Sequence, residues 1–414
     1  MVTDLTPVDE ALTAALTGER DRQQETLSLI ASENHASDAV LAAQGSVLTN
    51  KYAEGSPGDR YYAGCEYADD VERLAIERAK TLFDAEHANV QPHSGTSANL
   101  AAYQALLDPG DRILSLSLSH GGHLSHGQPY TMVDDVYDVS HYGVDVATGR
   151  LDYDRVRERA EEVDPDLLVS GYSADPRQVD FEALQAIAEA VDAVHVADIA
   201  HITGLVAAGE HPSPVGVADV VTGSTHKTIR AGRGGMILCG EEHADVIDRA
   251  VMPGTQGGPL MHDVAGKAAG FGEALEPEFA AYAAQVRTNA TAMAGQLTER
   301  GFDLVSGGTD VHFALVDFRA THPDLTGATA EAALEDVGIV CNKSTVPGET
   351  RSSTVTSGLR VGTPAITTRG FDANATRRLA DAIADVLQAP EDDATLEHAR
   401  DHVAELADEH PIDG

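Results

Sequence analysis

The 414-residue chain has no tryptophan, eight phenylalanines and only five lysines: Lys51, Lys80, Lys227, Lys267 and Lys343. Its three cysteines, Cys65, Cys239 and Cys341, form no CxxC pair and are too few for a disulfide framework, so a reducing compartment is expected. No run of about 18 apolar residues could span a bilayer. The start, MVTDLTPVDE, lacks the basic and apolar regions of a secretory signal. Positive charge is scarce as well: 28 Lys and Arg stand against 67 Asp and Glu, a formal net charge of -39. That balance repels a phosphate backbone and excludes nucleic-acid binding over a broad face. Together these absences predict a cytoplasmic protein that engages neither nucleic acid nor membrane.

What is abundant is acid. An excess of carboxylates with so few lysines fits a chain adapted to molar salt, where the Debye length is ~3 Å and repulsion among carboxylates is screened. A lysine inside a motif is conspicuous against this background.

The length allows two or three domains at roughly 150 residues each. The pattern predicts an N-terminal helical arm over 1–25, a large α/β domain over 26–262 and a smaller α+β domain over 263–414, which opens with a long Ala-rich helical region, Ala265–Glu299. In the large domain, helical and strand patterns alternate. Val71, Leu74, Ala75, Ala79, Leu82 and Phe83 recur at helical spacing, with Glu72, Arg73, Glu77 and Arg78 on the other side. Strand-like runs occur at Ala88–Gln91, Ile113–Leu118, Asp166–Val169, Val194–Ala197, Val217–Val221 and Gly235–Cys239. Such alternation implies a mostly parallel sheet covered on both faces, with functional groups at the strand C-terminal ends.

No GxxxxGK[ST] loop occurs, and no GxGxxG follows a strand. Two other segments end apolar strands: Val194-His-Val-Ala-Asp-Ile-Ala-His201 and Gly223-Ser-Thr-His-Lys-Thr228. Parallel strands place both ends on one edge, so Asp198 and Lys227 can meet in one cleft. That pairing is either a structural salt bridge or a Schiff-base cofactor site, with the acid on a pyridinium nitrogen. Ser94-Gly-Thr96 opens a helical stretch and is either a plain N-cap or an anion cradle. In Ser119-His-Gly-Gly-His-Leu-Ser-His126 three histidines recur at spacings of three. The glycine pair argues for a loop and no Cys or acidic ligand lies nearby, so we expect no metal and read the segment as placing an imidazole against a planar ring.

From about Leu29 to Leu387 the chain resembles the serine hydroxymethyltransferases, pyridoxal-phosphate enzymes of fold type I. The resemblance is carried by LIASEN (Leu29–Asn34), QGSVLTNKYAEG (Gln44–Gly55), RYYAGCEY (Arg60–Tyr67), HANVQPHSG (His87–Gly95), HGGHLSHG (His120–Gly127), AHITGLVAAGEHPSP (Ala200–Pro214), THKT (Thr225–Thr228), QGGPLMH (Gln256–His262), LVSGGTD (Leu304–Asp310) and TSGLRVGTPA (Thr356–Ala365).

The resemblance implies pyridoxal 5'-phosphate on Lys227, Asp198 at the pyridine nitrogen and His123 stacked on the ring. It implies a phosphate cradle of Ser94, Gly95 and Thr96, with His226 and Ser224 flanking the lysine and His201 and Ser173 near the phenolic oxygen. Tyr52, Gly257 and Gly258 match groups that reach the phosphate from a neighbouring subunit, which implies a homodimer, and dimers can pair into tetramers. Arg360 matches the arginine that binds the substrate carboxylate, assisted by Ser32. Glu54 and Tyr62 match the acid and phenol at the substrate hydroxyl, and Leu118, Gly122 and Leu124 match the folate-lining segment. The implied substrates are L-serine, glycine and tetrahydrofolate or a related pterin. A pterin-independent aldolase of β-hydroxy amino acids would share Lys227, Asp198 and Arg360, and a non-catalytic cofactor-binding protein is the third reading. The chain departs from the family pattern at Ser56, at Asp175 and over Glu349–Ser353.

Overall fold

In the computed structural model, residues 9–412 are described, and they divide into two compact units. Ala39–Ala281 forms one; the described residues before Ala39, together with those from Tyr282 onward, form the other. This differs from the expected borders at 25 and 262 for two local reasons. Leu27–Ser28 pairs in parallel with Ile339–Val340. The helix Met261–Ala274, expected to open the second domain, packs instead on the helix Glu66–Phe83.

The Ala39–Ala281 unit is built on seven strands: β1 (His87–Asn89), β2 (Arg112–Leu116), β3 (Asp138–Tyr142), β4 (Leu167–Gly171), β5 (Val194–Asp198), β6 (Val220–Ser224) and β7 (Gly235–Cys239). Their order across the sheet is β1-β7-β6-β5-β4-β2-β3. β7 runs antiparallel to both its neighbours, β1 and β6, and the remaining pairs are parallel. β2 and β4 to β7 are nearly all buried because helices cover both faces, which is why they read as continuous apolar runs rather than as alternation. One face packs Ala98, Ala101, Ala102 and Tyr103 of the helix Gly95–Leu106 against Ile113, Val169, Val196, Val220 and Ile237. Burying each large apolar side chain contributes about 1.5–3 kcal/mol.

The helix Glu66–Phe83 departs from its expected face. Leu74 is exposed and Glu72 is buried, because the Arg60 guanidinium and the Gln91 amide reach Glu72 from beneath at 2.6 and 2.7 Å. The Ala-rich region also differs. It is two helices, Met261–Ala274 and Pro277–Glu299, and the break falls where Pro277 starts a new first turn without needing an N–H partner.

In the other unit a four-stranded antiparallel sheet, Asp303–Leu304, Phe313–Asp317, Gly358–Gly362 and Asn342–Ser344 in that order, packs with the helices Gly327–Asp336, Ala373–Gln388 and Asp393–Glu409. The acidic C-terminal helix buries Ala399, Val403, Leu406 and Ala407 and leaves its carboxylates outside. No helix among the described residues is long and apolar enough to cross a membrane.

Candidate active site

The C-terminal ends of β5 and β6 sit side by side, with Asp198 in register with Thr222. Ser224 closes β6, and the chain then turns through Thr225, His226 and Lys227. The turn is held by its polar groups: Thr225 donates its amide to Gly234 O and its hydroxyl to Gly232 O, at 3.0 and 2.6 Å. Thr228 donates its hydroxyl to His201 O at 3.1 Å and accepts from the Gly204 amide at 2.9 Å. Lys227 is thereby fixed to the segment that follows Asp198.

Lys227 and Asp198 line one cavity of about 210 Å³ together with Ser94, Gly95, Thr96, His123, Ser173, His201, Ser224 and His226. Tyr172, Ala200 and Arg233 complete it, and sequence reasoning had given none of these a role. Ser94 caps the helix Gly95–Leu106, its hydroxyl accepting from the Ser97 amide at 3.0 Å. The remaining first-turn amides lack intrahelical acceptors and favour an anion. A Cβ at residue 95 would stand 2.6 Å from Ser224 Oγ, so glycine lets the Ser224 hydroxyl lie against the helix start.

In the same cavity the Asp198 carboxylate is buried and densely partnered. Oδ2 accepts from His126 Nε2 at 3.0 Å and from Asn99 Nδ2 at 2.8 Å, while Oδ1 accepts from the Ala200 amide at 2.8 Å. Burial alone would raise this carboxyl, but the His126 hydrogen bond, with His126, His123 and Asn99 around it, holds it well below the usual carboxylate range. Burial pushes the His123 imidazole down to about 4 and that of His226 down to about 3. His123 is oriented by Ser125, whose Oγ lies 2.7 Å from Nδ1. His120 points elsewhere, accepting from the Val144 amide at 3.1 Å. The cavity thus brings together an anion seat, an ionised carboxylate and an amine.

Other expected site residues group elsewhere. Tyr62 Oη donates to Glu54 Oε2 at 3.0 Å, which raises the phenol pKa. Tyr52 and Tyr62 meet edge-on with centroids 5.5 Å apart. Gly257 and Gly258 lie against Glu54 and Tyr52. These five residues do not line the Lys227 cavity, and Tyr52 and Tyr62 are exposed. Glu54 is held through its neighbours: Arg60 Nη1 donates to Ala53 O and Gly55 O, 2.8 Å each, while Asp69 and Glu72 anchor the guanidinium. Leu118 and Leu124 are exposed on two short 3-10 turns, and Gly122, between them, lies tight against the backbone of Leu116. In the second unit Arg360 lies on Gly358–Gly362, its Nε donating to Asn342 Oδ1 at 3.1 Å and its Cζ 5.9 Å above the Phe313 ring. Ser32 is half-buried in a turn closed by the Glu33 amide on Ile30 O.

The family model for serine hydroxymethyltransferase matches residues 5–383. Curated serine hydroxymethyltransferases of three halophilic archaea are similar over 98% of this chain. The relative from Natronomonas pharaonis is 65% identical, with 95% of its own length covered. Those from Haloarcula marismortui and Halobacterium salinarum are 63% and 62% identical, each with 97% covered.

Proposed function

The chain belongs to the serine hydroxymethyltransferase family, and from that premise we propose that it interconverts L-serine and glycine with pyridoxal 5'-phosphate in the Lys227 cavity. The one-carbon unit passes to and from tetrahydrofolate or a related reduced pterin. The observation that carries the cofactor assignment is the convergence of Lys227, Asp198 and the Ser94–Thr96 helix start on one cavity. The donor set fits: amides and hydroxyls for a phosphate, a buried ionised carboxylate for a protonated ring nitrogen and an amine for an aldehyde. When bound, the cofactor supplies an electron sink for the bond broken at the substrate α-carbon.

The chain's own residues then have separable tasks. With the cofactor bound, Lys227 would hold its aldehyde carbon, Ser94, Gly95 and Thr96 its phosphate, and His123 would lie at its ring. Asp198, kept ionised by His126 and Asn99, would stabilise positive charge on the ring nitrogen. Ser173, His201, Ser224 and His226 line the same cavity; Ser224 and His226 would flank the lysine, and Ser173 and His201 would lie near the cofactor's phenolic oxygen. Arg360, with Ser32, takes the substrate carboxylate, where a planar fork suits bidentate binding. Glu54, hydrogen-bonded to Tyr62, moves the proton at the substrate hydroxyl. The surface cluster of Tyr52, Glu54, Tyr62, Gly257 and Gly258 supports a homodimer in which each copy completes its neighbour's site. Leu118, Gly122 and Leu124 line the pterin side.

The test is glycine formation from L-serine by the purified, cofactor-loaded chain, with and without tetrahydrofolate and with other reduced pterins. Glycine formation that requires a pterin supports the reading, and turnover indifferent to pterin overturns it.

A further inference from the structure

Lys267 is the most enclosed lysine among the described residues, and it lies outside the Lys227 cavity. It lies on the helix Met261–Ala274 and is 1% exposed. Its Nζ donates to three backbone carbonyls: Val90 at 2.7 Å, Pro92 at 2.9 Å and Gly235 at 3.0 Å. Those carbonyls belong to two different segments. Val90 and Pro92 lie on the stretch that runs from β1 to Ser94, and Gly235 opens β7.

Three acceptors match the three N–H groups of an ammonium, whereas a neutral amine has only two. Burial pushes the Lys267 pKa down to about 7, against the pull of Asp263 on its own helix and Glu72 on Glu66–Phe83. His93, beside the cradle, and His226 also feel this charge, and both are pushed down, chiefly by burial. An ion kept in so dry a place costs folding energy unless its hydrogen bonds are complete. Here they are complete, and they are spent on clamping two backbone segments together.

The surrounding glycines make room for the clamp. A Cβ on Gly234 would overlap Lys267 Cε and Nζ, and one on Gly235 would overlap the Ser94 carbonyl. The start of β7 is therefore a wall against which Ser94 rests. The Gly235 amide also donates to Pro92 O at 2.9 Å, so Pro92 is held by both partners. Gln256 adds a side brace: its Nε2 donates to Gln91 O at 2.7 Å, and its Oε1 accepts from the His93 amide at 3.3 Å. Displacing Val90 or Pro92 would carry Ser94 and the helix N-terminus with it, and sub-ångström placement decides the strength of such charge-assisted contacts.

We propose that Lys267 is a positioning residue for the phosphate cradle, an internal cation that clamps the Val90–Pro92 approach to the start of β7 and so sets where Ser94, Gly95 and Thr96 present their donors. This rests on the reading that pyridoxal 5'-phosphate occupies the Lys227 cavity.

The test compares two probes that differ only in the phosphate, pyridoxal 5'-phosphate and pyridoxal, bound to the full-length cofactor-stripped chain and followed by absorbance. In Lys267→Met, affinity for pyridoxal 5'-phosphate should fall roughly tenfold or more, the scale on which groups that orient a ligand's direct partners act at other sites. Affinity for pyridoxal should change little, so the ratio of the two falls. A merely structural lysine would lower the melting temperature and leave that ratio where it was. An unchanged ratio, whether both ligands weaken equally or neither does, overturns the proposal and leaves the cofactor reading intact. Should Lys267→Met fail to fold, Lys267→Gln, which keeps two N–H donors, carries the same comparison. If the unmodified chain binds neither probe, the cofactor reading itself falls, and this inference with it.

Discussion

The imidazole Nε2 of His126 stands 3.0 Å from Oδ2 of Asp198, with both side chains buried. The same oxygen accepts from Asn99, whose own Oδ1 accepts from the Thr222 hydroxyl at 2.5 Å. Asn99 also donates to Ser125 Oγ at 2.9 Å, and Ser125 meets His123. One connected network therefore fixes both the carboxylate assigned to the ring nitrogen and the imidazole assigned to the ring face. Networks of this kind are stabilising when every member is satisfied and costly when one is removed.

His126→Phe should break that network at its most buried point. Losing a partner of a buried charge costs about 3 kcal/mol. The pH dependence has a definite sign. Asp198 titrates below its unfolded value of about 3.9, so its stabilising contribution is full above that value and is lost as pH falls through the native pKa. Removing His126 raises the native pKa, and acid unfolding of the variant should begin at higher pH. Urea melts of both proteins between pH 3 and 7 measure this, and coincident acid limbs would show that His126 does not hold the carboxylate.

Lys227 should be the residue that carries the cofactor. Borohydride reduction of the loaded chain followed by peptide mapping should place the label on the peptide containing Thr225–Thr228. Lys267 is the instructive competitor: it is the other buried lysine, but its ammonium donates to three backbone carbonyls that enclose it. A label recovered on Lys267 would defeat the assignment.

How much of this was legible in the sequence depends on whether the signal was local. The strands Gly235–Cys239 and Val194–Asp198 have the expected bounds to within a residue, because apolar runs are written into adjacent positions. The juxtaposition of Asp198 and Lys227 follows from the rule that parallel strands end on one edge. The parts His126 and Asn99 play as partners of Asp198 are not written in local spacing. His126 sits in a histidine-rich loop whose spacing could not say which ring turns inward, and Asn99 is one polar residue on an otherwise core-facing helix. Glu72 was misread as outward-facing because its partners, Arg60 and Gln91, lie 12 and 19 residues away. The Arg233 position in the cavity had only a weak cue, an arginine in a glycine-rich run after the lysine.

Stability should depend on salt. The net charge of -39, with 23 arginines and five lysines to offset 67 acids, leaves a large excess of carboxylates. At ~0.01 M ionic strength the Debye length is ~30 Å, so their repulsion reaches across much of the surface, while at 1 M it is ~3 Å. Melting temperatures should rise steadily from low salt to molar KCl. A flat or falling series would mean that the acidic composition has another cause.

Glu54 offers the sharpest test of the chemistry, because its hydrogen bond to Tyr62 is built on a loop whose backbone Arg60 grips on both sides of it. Glu54→Gln keeps the shape and the Arg60 grip and removes only the ability to take and return a proton. A general acid–base group is worth ~10² to 10⁴ in rate, so pterin-dependent glycine formation should fall by that much. Affinity for cofactor should stay close to that of the unmodified chain, since the Lys227 cavity is lined without Glu54, and affinity for serine should too, since the amide keeps the size and a hydrogen-bonding group at the substrate hydroxyl. In free-energy terms the loss belongs to kcat and not to binding. Cleavage of allo-threonine without pterin is the control. If the unmodified chain cleaves allo-threonine faster than it turns over serine at saturating pterin, Glu54 is not serving hydroxymethyl transfer and the aldolase reading takes its place.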